Sequence, residues 1–499
     1  MQTIQQWERF EFSQTVEVSQ GNPFTDVRFP ATVKGSGVER TVEGFYDGEG
    51  VYRLRFLGEA PGEYTYETHS NLPALDGLTG GFRVTPAAEG VHGPVRAAGT
   101  RFRYADGSPA FIMGTTAYAW HYRPAEVRAQ TLDSFSRYGF NKIRMLVFPK
   151  HYTGGFNHVD ISYEPPCYPF EGAPRAFDFT RPNPAYFQAF EQRVEDLMRR
   201  DIEADVILFH PYDMHQWNID EGMGEDDALL YLRYIIARLA SYRNVWWSLA
   251  NEYDIDTVHH VIGPDRRDWD VIGAFIQARD PYGHLISAHN IPFGIIYPDR
   301  HWLTHVSYQH PDTYTLLLEL LTKYGKPVIN DEYQYEGNLR DDWGNSSPEL
   351  VLERHWKSLM AGGYATHGEA FVRNDNHKDI FWSYGGTMTG ESAERLRYLR
   401  EIAESLPLDE MERQPLNSDS GNIFALAKGH DLVVIYCRHD LPGKHPWLGP
   451  WDGSLRNARY HATVYDLWNC RVLEEFDVDR EHQPEYRAWT LIKLERIGA

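Results

Sequence analysis

The sequence has few cysteines and few basic residues for its length. Its 499 residues contain only Cys167, Cys437 and Cys470, an odd and widely spaced set that predicts no disulfide framework. Lysine and arginine number 49 against 71 acidic residues, which gives a formal charge of −22. Nucleic acid and anionic membranes both require a basic surface, so we expect neither as a partner.

Long apolar runs are also missing. Residues 1–7 lack a basic segment followed by an apolar run, and no stretch elsewhere approaches membrane-spanning length. We therefore expect no membrane partner and a cytoplasmic location. Aromatic residues, in contrast, make up 14% of the chain, with 14 Trp and 31 Tyr. Such side chains suit stacking against sugar rings, but they also fill the cores of β-rich proteins.

The patterning changes twice along the chain and predicts three domains. Short alternating segments broken by turns indicate a β-sandwich over 1–95. Strands that alternate with amphipathic helices over 96–408 indicate parallel β/α units. Alternating segments return over 409–499 and indicate a small antiparallel β-domain. The expected fold class is α/β, a (β/α)8 TIM barrel flanked by these two β-domains.

The central region contains eight candidate strands. No Gly-rich phosphate turn follows the first of them, which ends Met113-Gly114-Thr115, so a closed barrel fits better than an open doubly wound sheet. Helices are predicted from Asn183-Pro184 onward and over 226–242, 269–278, 313–324, 348–361 and 391–405. The strands are predicted at 111–115, 142–148, 204–209, 245–249, 285–288, 305–308, 327–330 and 365–370.

Two of these strands end in a glutamate. The fourth runs into Asn251-Glu252 and the seventh into Glu332. Because barrel active sites form at the carboxyl ends of the strands, the two carboxylates are expected to face each other across the barrel mouth. Cleavage of a glycosidic bond needs such a pair, one as acid and one as nucleophile, about 5 to 5.5 Å apart when configuration is retained.

Neighbouring residues assign the two roles. Asn251 can hold a sugar 2-hydroxyl, which marks Glu252 as the general acid/base, with a pKa raised by partial desolvation. Arg144 and Tyr308 are expected to hydrogen-bond Glu332 and keep it ionised as the nucleophile.

Further rim residues are candidates for substrate binding, and some carboxylates are rivals for the chemistry. Glu369 and Glu336 are alternatives to the nucleophile, and Asp213 and Asp254 to the acid. Glu336 follows its strand by too many residues, whereas Glu369 suits substrate binding. The other candidates for substrate contacts are His210, His310, Trp120 and Trp382.

Rim histidines also raise a metal hypothesis. The sequence nevertheless contains no His-Glu-x-x-His or His-x-His spacing, and the adjacent pair His259-His260 would point in different directions. We therefore expect neither a metal nor another cofactor. The histidines that could converge are His210, His289, His310 and His367.

The strand motifs resemble a known grouping. Residues 247–252 (WSLANE) and 326–332 (KPVINDE) resemble the fourth- and seventh-strand signatures of clan A retaining glycoside hydrolases. The three-part layout is similar to that of the bacterial apiosidase-like glycoside hydrolase group. The resemblance implies an acid/base at Glu252 and a nucleophile at Glu332. It does not carry over apiosidase activity, because apiosidases place an aspartate where this chain has Asn251-Glu252, and Ser307 stands where clan A enzymes often have a histidine.

The expected function is therefore a retaining glycoside hydrolase acting on an oligosaccharide or glycoside. Long segments after the second and eighth strands, 151–181 and 373–388, would build a pocket and favour exo-action on short substrates. Accessory β-domains often make subunit contacts, so a homo-oligomer stays open. The alternatives are a non-catalytic carbohydrate-binding barrel and a metal-dependent hydrolase or isomerase on the same fold.

Overall fold

The structure is a computed structural model of the chain. It describes residues 1–17, 21–150, 163–211, 216–220, 222–256, 261–262, 267–292, 294, 297–372, 380–414, 421–440, 459–479 and 482–498. The predicted rim segments at 151–181 and 373–388 therefore lie partly outside the described residues, and Asp213 and His259-His260 lie wholly outside them.

The N-terminal strands form two sheets that share an aromatic core. One sheet has the order β1-β8-β7-β3-β4 and the other β2-β6-β5, while β9 and β10 form a hairpin. Phe10 from the smaller sheet stacks on Phe82 from the larger, with ring centroids 4.0 Å apart. The strands are β1 Gln2–Gln5, β2 Arg9–Thr15, β3 Pro30–Gly35, β4 Val38–Glu43, β5 Phe45–Tyr46, β6 Val51–Leu57, β7 Gly62–Thr68, β8 Thr79–Thr85, β9 Val95–Ala98 and β10 Arg101–Tyr104.

The central region is a nearly closed barrel of parallel strands, which confirms the predicted fold class. The strands of the whole central region are β11 Gly114–Thr116, β12 Lys142–Leu146, β13 Phe170–Ala173, β14 Ala176–Pro182, β15 Glu203–Phe209, β16 Val245–Ala250, β17 Ile255–Asp256, β18 Val261–Ile262, β19 Ile286–Ser287, β20 Val306–Gln309, β21 Val328–Glu332, β22 Glu336–Gly337, β23 Tyr364–His367 and β24 Glu369–Ala370. Eight of them form one sheet in the order β19-β16-β15-β12-β11-β23-β21-β20. The seam between β19 and β20 is bridged by a hydrogen bond of 3.0 Å from Thr304 N to the Ile286 carbonyl.

Helices surround this barrel, and six of the eight in the described residues lie where the sequence predicted them. Asn183 caps α2 by accepting a hydrogen bond from Ala185 N, and Pro184 occupies the first turn, as the sequence predicted. The helices at Ala125–Arg137 and Phe381–Tyr384 were not predicted. None of the helices in the described segments is long and apolar enough to cross a membrane. The helices are α1 Ala125–Arg137, α2 Pro184–Met198, α3 Glu225–Leu239, α4 Trp269–Arg279, α5 Thr315–Tyr324, α6 Pro348–Ala361, α7 Phe381–Tyr384 and α8 Ser392–Ser405, with 3₁₀ turns at Trp120–Tyr122, Asp342–Gly344 and Leu408–Glu410.

The C-terminal strands form one antiparallel sheet in the order β25-β26-β27-β30-β28-β29. Tyr436 of this sheet stacks on Trp356 of α6 with centroids 5.6 Å apart, which attaches the sheet to the helix layer of the barrel. The domain boundaries proposed from the sequence stay a prediction. The strands are β25 Glu412–Gln414, β26 Ile423–Lys428, β27 Leu432–Cys437, β28 Arg459–Asp466, β29 Arg471–Asp477 and β30 Thr490–Gly498.

Candidate active site

One guanidinium joins the ends of two barrel strands at the candidate site. Arg144 of β12 places Nη1 2.6 Å from Oε1 of Glu332 and donates through Nη2 to Oδ1 of Asn251 at 2.5 Å. Asn251 directly follows β16, and Glu332 is the last residue of β21. The carboxylate and the amide predicted to work together are thus held by a single rigid donor.

A register shift brings Glu332 to the mouth. Strand alternation would turn Asp331 and Glu332 to opposite sides. The pairing of β20 with β21 shifts between Tyr308 and Gln309, so that Gln309 pairs with Glu332 while Tyr308 pairs with Asn330. Such irregularities often redirect side chains at active sites.

Tyr118 supplies the phenolic hydrogen bond to Glu332. Its hydroxyl donates to Oε1 of Glu332 and lies 3.2 Å from Oδ1 of Asn251. Burial alone would raise the pKa of Glu332, but the charge of Arg144 and these hydrogen bonds hold that pKa below its ordinary value. Burial lowers the pKa of nearby His289 to about 3, so its ring is neutral and Arg144 supplies the positive charge. Glu332 is therefore ionised near neutral pH.

Glu252 lies in the opposite electrostatic environment. Burial, followed by the negative charge of Glu332, raises the pKa of Glu252 to about 7, against the opposing effects of Lys150, a hydrogen bond with Gln309, and Arg144. Its backbone adopts a left-handed conformation with φ of 48°, two residues after the end of β16. Strained backbone of this kind is common at functional sites. Glu252 can therefore hold a proton at neutral pH while Glu332 cannot.

A buried ionic layer lies beneath the two carboxylates. Lys142 is fully buried, with Nζ 2.6 Å from Oδ1 of Asp331 and 2.7 Å from Oδ2 of Asp205. Burial opposes ionisation of Asp331, but Lys142 and then Arg144 hold its pKa well below the ordinary value. Thr366 adds a hydrogen bond of 2.6 Å to Oδ1 of Asp331. This layer fixes the strand that carries Glu332.

The prediction that Tyr308 hydrogen-bonds Glu332 is wrong. The Tyr308 hydroxyl donates to the carbonyl of Asp312 at 3.1 Å. Ser307 and Gln309, its neighbours along the strand, face the barrel interior, so alternation turns Tyr308 outward. His310 likewise accepts a hydrogen bond of 2.9 Å at Nδ1 from Asp312 N, a contact that shapes the turn after β20.

Two other candidates make defined contacts within the protein, and their contact with substrate stays a prediction. Trp120 is fully buried and packs edge-on against Phe135 of α1. Glu369 accepts hydrogen bonds at both carboxylate oxygens, from Thr389 N at 2.7 Å and Gly390 N at 2.8 Å. The sequence does not reveal that Glu369 contacts the segment before α8, because these contacts span twenty residues or more.

The remaining candidates differ in how close they come to the pair. Trp382 lies beside the site, because its ring is 5.9 Å from that of Tyr118 and its carbonyl accepts a hydrogen bond from Tyr118 N. His210 directly follows β15, is buried, and has its ring 6.4 Å from that of Phe148. Contact of these two side chains with substrate stays a prediction.

The rival carboxylates also have defined contacts. Glu336 accepts from Glu391 N and Ser392 N at the start of α8, at 2.7 and 2.9 Å. Asp254 accepts from Ile291 N at 2.7 Å. In the described part of the chain, no three His, Cys, Asp or Glu residues come close enough together to hold a metal ion.

Comparison with known proteins adds the family. A model described as the apiosidase-like catalytic domain matches residues 97–410, and a domain of unknown function, DUF5060, matches residues 3–71. The chain belongs to the apiosidase-like family. The match confirms the resemblance to this family that was inferred from the strand motifs of the apiosidase-like protein. No curated protein matched the chain.

Solved structures agree with this assignment. The chain is 34% identical, with a TM-score of 0.87 and coverage of 100% of both chains, to a "putative glycoside hydrolase" from Bacteroides vulgatus ATCC 8482. It is also similar to a glycoside hydrolase family 5 protein from the same organism, at 16% identity and a TM-score of 0.59, over 81% of this chain and 94% of that chain. At this lower identity the likeness shows the fold alone.

Some functional residues of this apiosidase-like protein were missed in the sequence. The sequence alone assigns no role to Tyr118 or Lys142, although Tyr118 contacts Glu332 and Lys142 lies in the ionic layer beneath it. A usable signal existed, because Lys142 and Arg144 are two apart in a strand and must share a face. Two cations facing a barrel interior require buried anions as partners.

Proposed function

We propose that this protein is a retaining glycoside hydrolase in which Glu252 is the general acid/base and Glu332 the nucleophile. The observation that carries the proposal is the opposite pKa shift of two carboxylates at the carboxyl ends of β16 and β21: the pKa of Glu252 is raised to about 7, whereas that of Glu332 is lowered. One acid and one ionised carboxylate are what cleavage through a glycosyl-enzyme needs. The family and the name of its 34% identical relative support the same class.

In the first step, Glu332 attacks the anomeric carbon as the bond to the leaving group breaks. Glu252 gives its proton to the departing oxygen, and a covalent ester joins the sugar to Glu332. In the second step, Glu252, now ionised, takes a proton from water, which attacks the same carbon and releases Glu332. Two inversions give net retention.

Asn251 and Arg144 support this chemistry. Arg144 and Tyr118 both lie at Oδ1 of Asn251, which orients the amide so that its nitrogen is the donor toward a sugar 2-hydroxyl. Such a contact strengthens as the ring gains oxocarbenium character. We further propose exo-action on short oligosaccharides or glycosides, with Trp382 at the substrate ring.

The test is a screen of nitrophenyl glycosides and oligosaccharides with Glu332→Ala and Glu252→Ala. Glu319→Ala, on the exposed face of α5, is the matched control. Azide is expected to restore turnover of Glu332→Ala and to give a glycosyl azide of inverted configuration. Wild-type turnover by Glu332→Ala would refute the assignment.

A chelator experiment separates the metal-dependent alternative. We expect full activity after dialysis against EDTA, since neither carboxylate acts through an ion in this mechanism. Loss of activity that zinc restores would favour a metal-dependent hydrolase instead.

A further inference from the structure

A chain of polar side chains runs from the buried ionic layer to Glu252. Ser307 donates to Oδ2 of Asp331 at 2.6 Å, and Nδ1 of His289 lies 3.0 Å from the Ser307 hydroxyl. Oε1 of Gln309 lies 3.1 Å from Nε2 of His289, and the NH₂ end of the same amide faces Glu252 and hydrogen-bonds it. His289 is fully buried and Ser307 nearly so. Each link is therefore a direct contact within the protein.

The ionised Asp331 at one end of this chain determines which atoms of Ser307 and His289 carry hydrogen. Asp331 is ionised beside Lys142 and can only accept hydrogen bonds. The Ser307 hydroxyl has a single hydrogen, and it uses that hydrogen to donate a hydrogen bond to Asp331. The Ser307 oxygen must then accept from His289, so Nδ1 of His289 carries the hydrogen.

The other ring nitrogen consequently holds a lone pair. The ring is neutral and has one N–H, which Ser307 already uses. Nε2 of His289 is 4.0 Å from Oε1 of Glu332, too far for a hydrogen bond. That separation agrees with two acceptors facing each other, since an N–H at Nε2 would be drawn to the carboxylate.

A lone pair on Nε2 determines the orientation of Gln309. The two ends of a glutamine amide are assigned from their partners, and the partner of an acceptor must be the NH₂ group. We infer that the Asp331–Ser307–His289 chain requires the amide to be turned over from the orientation with Oε1 at His289, so that the NH₂ of Gln309 donates to His289 and its carbonyl oxygen faces Glu252. Gln309 is then the positioning residue that accepts a hydrogen bond from the protonated acid. This deepens the proposed function, on which the role of Glu252 rests.

The charges around Glu252 give this orientation a consequence. Glu332, Lys150 and Arg144 act on Glu252 through their charges, and His289 is neutral. With the NH₂ at Glu252 the hydrogen bond of Gln309 lowers the pKa of the acid, as described above; with the amide turned over, the carbonyl accepts from the protonated acid and raises that pKa. The tautomer of a histidine that does not touch Glu252 therefore helps to set the pH at which the acid loses its proton.

The first test needs no substrate. Nitrogen-15 spectra of the whole protein with labelled histidine, assigned by comparison with His289→Gln, report which ring nitrogen of His289 is protonated. We expect hydrogen on Nδ1 and an unprotonated Nε2 at neutral pH. A ring protonated at Nε2 overturns the inference, whether or not glycosidase activity is found.

The second test perturbs the chain two residues away from the acid. Ser307→Ala removes the acceptor for Nδ1–H, so we expect His289 to shift toward the Nε2–H tautomer and Gln309 to turn its NH₂ to Glu252. The carboxyl titration of Glu252, followed by carbon-13 labelling against Glu252→Gln, should move down by about 1 pH unit. The basic limb of kcat/KM should move with it.

Controls separate this effect from general loosening of the ionic layer. Thr366→Ala also removes one hydroxyl hydrogen bond of 2.6 Å to Asp331 but has no link to His289, so neither the tautomer nor the titration should change. Ser307→Thr keeps the hydroxyl and should restore both. An unchanged titration in Ser307→Ala, or an equal shift in Thr366→Ala, overturns the inference. If Ser307→Ala fails to fold, the wild-type tautomer decides alone.

Discussion

Two buried tyrosines offer a direct comparison at the nucleophile. The Tyr118 hydroxyl donates to Glu332, whereas the Tyr308 hydroxyl donates to the carbonyl of Asp312. Replacing either by phenylalanine removes one hydroxyl from a fully packed ring, because both side chains are buried. Only Tyr118→Phe should alter the catalytic carboxylate, which makes Tyr308→Phe the matched control.

The expected magnitude follows from the kind of hydrogen bond that is lost. A hydrogen bond to a charged group contributes about 1.5 to 3 kcal/mol, which corresponds to a fall in kcat/KM of about 10- to 150-fold for Tyr118→Phe. Loss of a donor to the ionised form also raises the pKa of Glu332, so the acid limb of the pH profile should move to higher pH. Tyr308→Phe loses a neutral hydrogen bond and should lower the unfolding free energy by about 1 kcal/mol, with the pH profile unchanged.

The assay is kcat/KM against pH on the best nitrophenyl glycoside, with urea unfolding of both variants in parallel. The reasoning is refuted if Tyr118→Phe keeps the wild-type profile, or if Tyr308→Phe shifts the acid limb to the same extent.

Three further predictions concern the acid, the ionic layer and Glu369. Because the acid must be protonated and the pKa of Glu252 is about 7, kcat/KM should fall as pH rises through about 7, and Glu252→Gln should lack this limb on substrates with activated leaving groups. Lys142→Met leaves Asp331 and Asp205 without their buried cation and should cost about 3 to 5 kcal/mol in urea unfolding. Glu369→Gln loses one carboxylate acceptor and should lower stability by about 1 to 2 kcal/mol while KM stays constant.

Each of these has an outcome that would contradict it. A wild-type kcat/KM that stays constant between about pH 6 and 8 would count against the assignment of Glu252 as the acid. Wild-type unfolding of Lys142→Met would mean that the ionic layer contributes nothing to stability. A large rise in KM for Glu369→Gln would indicate that this side chain binds the substrate.

Much of the fold could be predicted because local patterns repeat at each unit. The eight barrel strands lie where buried runs alternate with amphipathic helices, and Asn183-Pro184 marks the start of α2 through its own cap chemistry. α1 was missed because its N-terminal half is polar and its buried face is short, with Thr131, Leu132, Ser134 and Phe135 as its buried residues. Periodicity is weak in such a helix, and only packing against the barrel selects it.

The chain order alone placed Glu252 and Glu332 at strand ends and, with Arg144 in β12, predicted that they meet. That much follows from the sequence because parallel strands present their carboxyl ends on one side of a barrel. The contact of Tyr118 rather than Tyr308 with Glu332, the bonds of Glu369 to the segment before α8, and the chain from Asp331 to Gln309 were decided only by the tertiary structure. They depend on contacts between residues far apart in the chain and, at Glu332, on the register shift in the pairing of β20 with β21, neither of which a linear pattern contains.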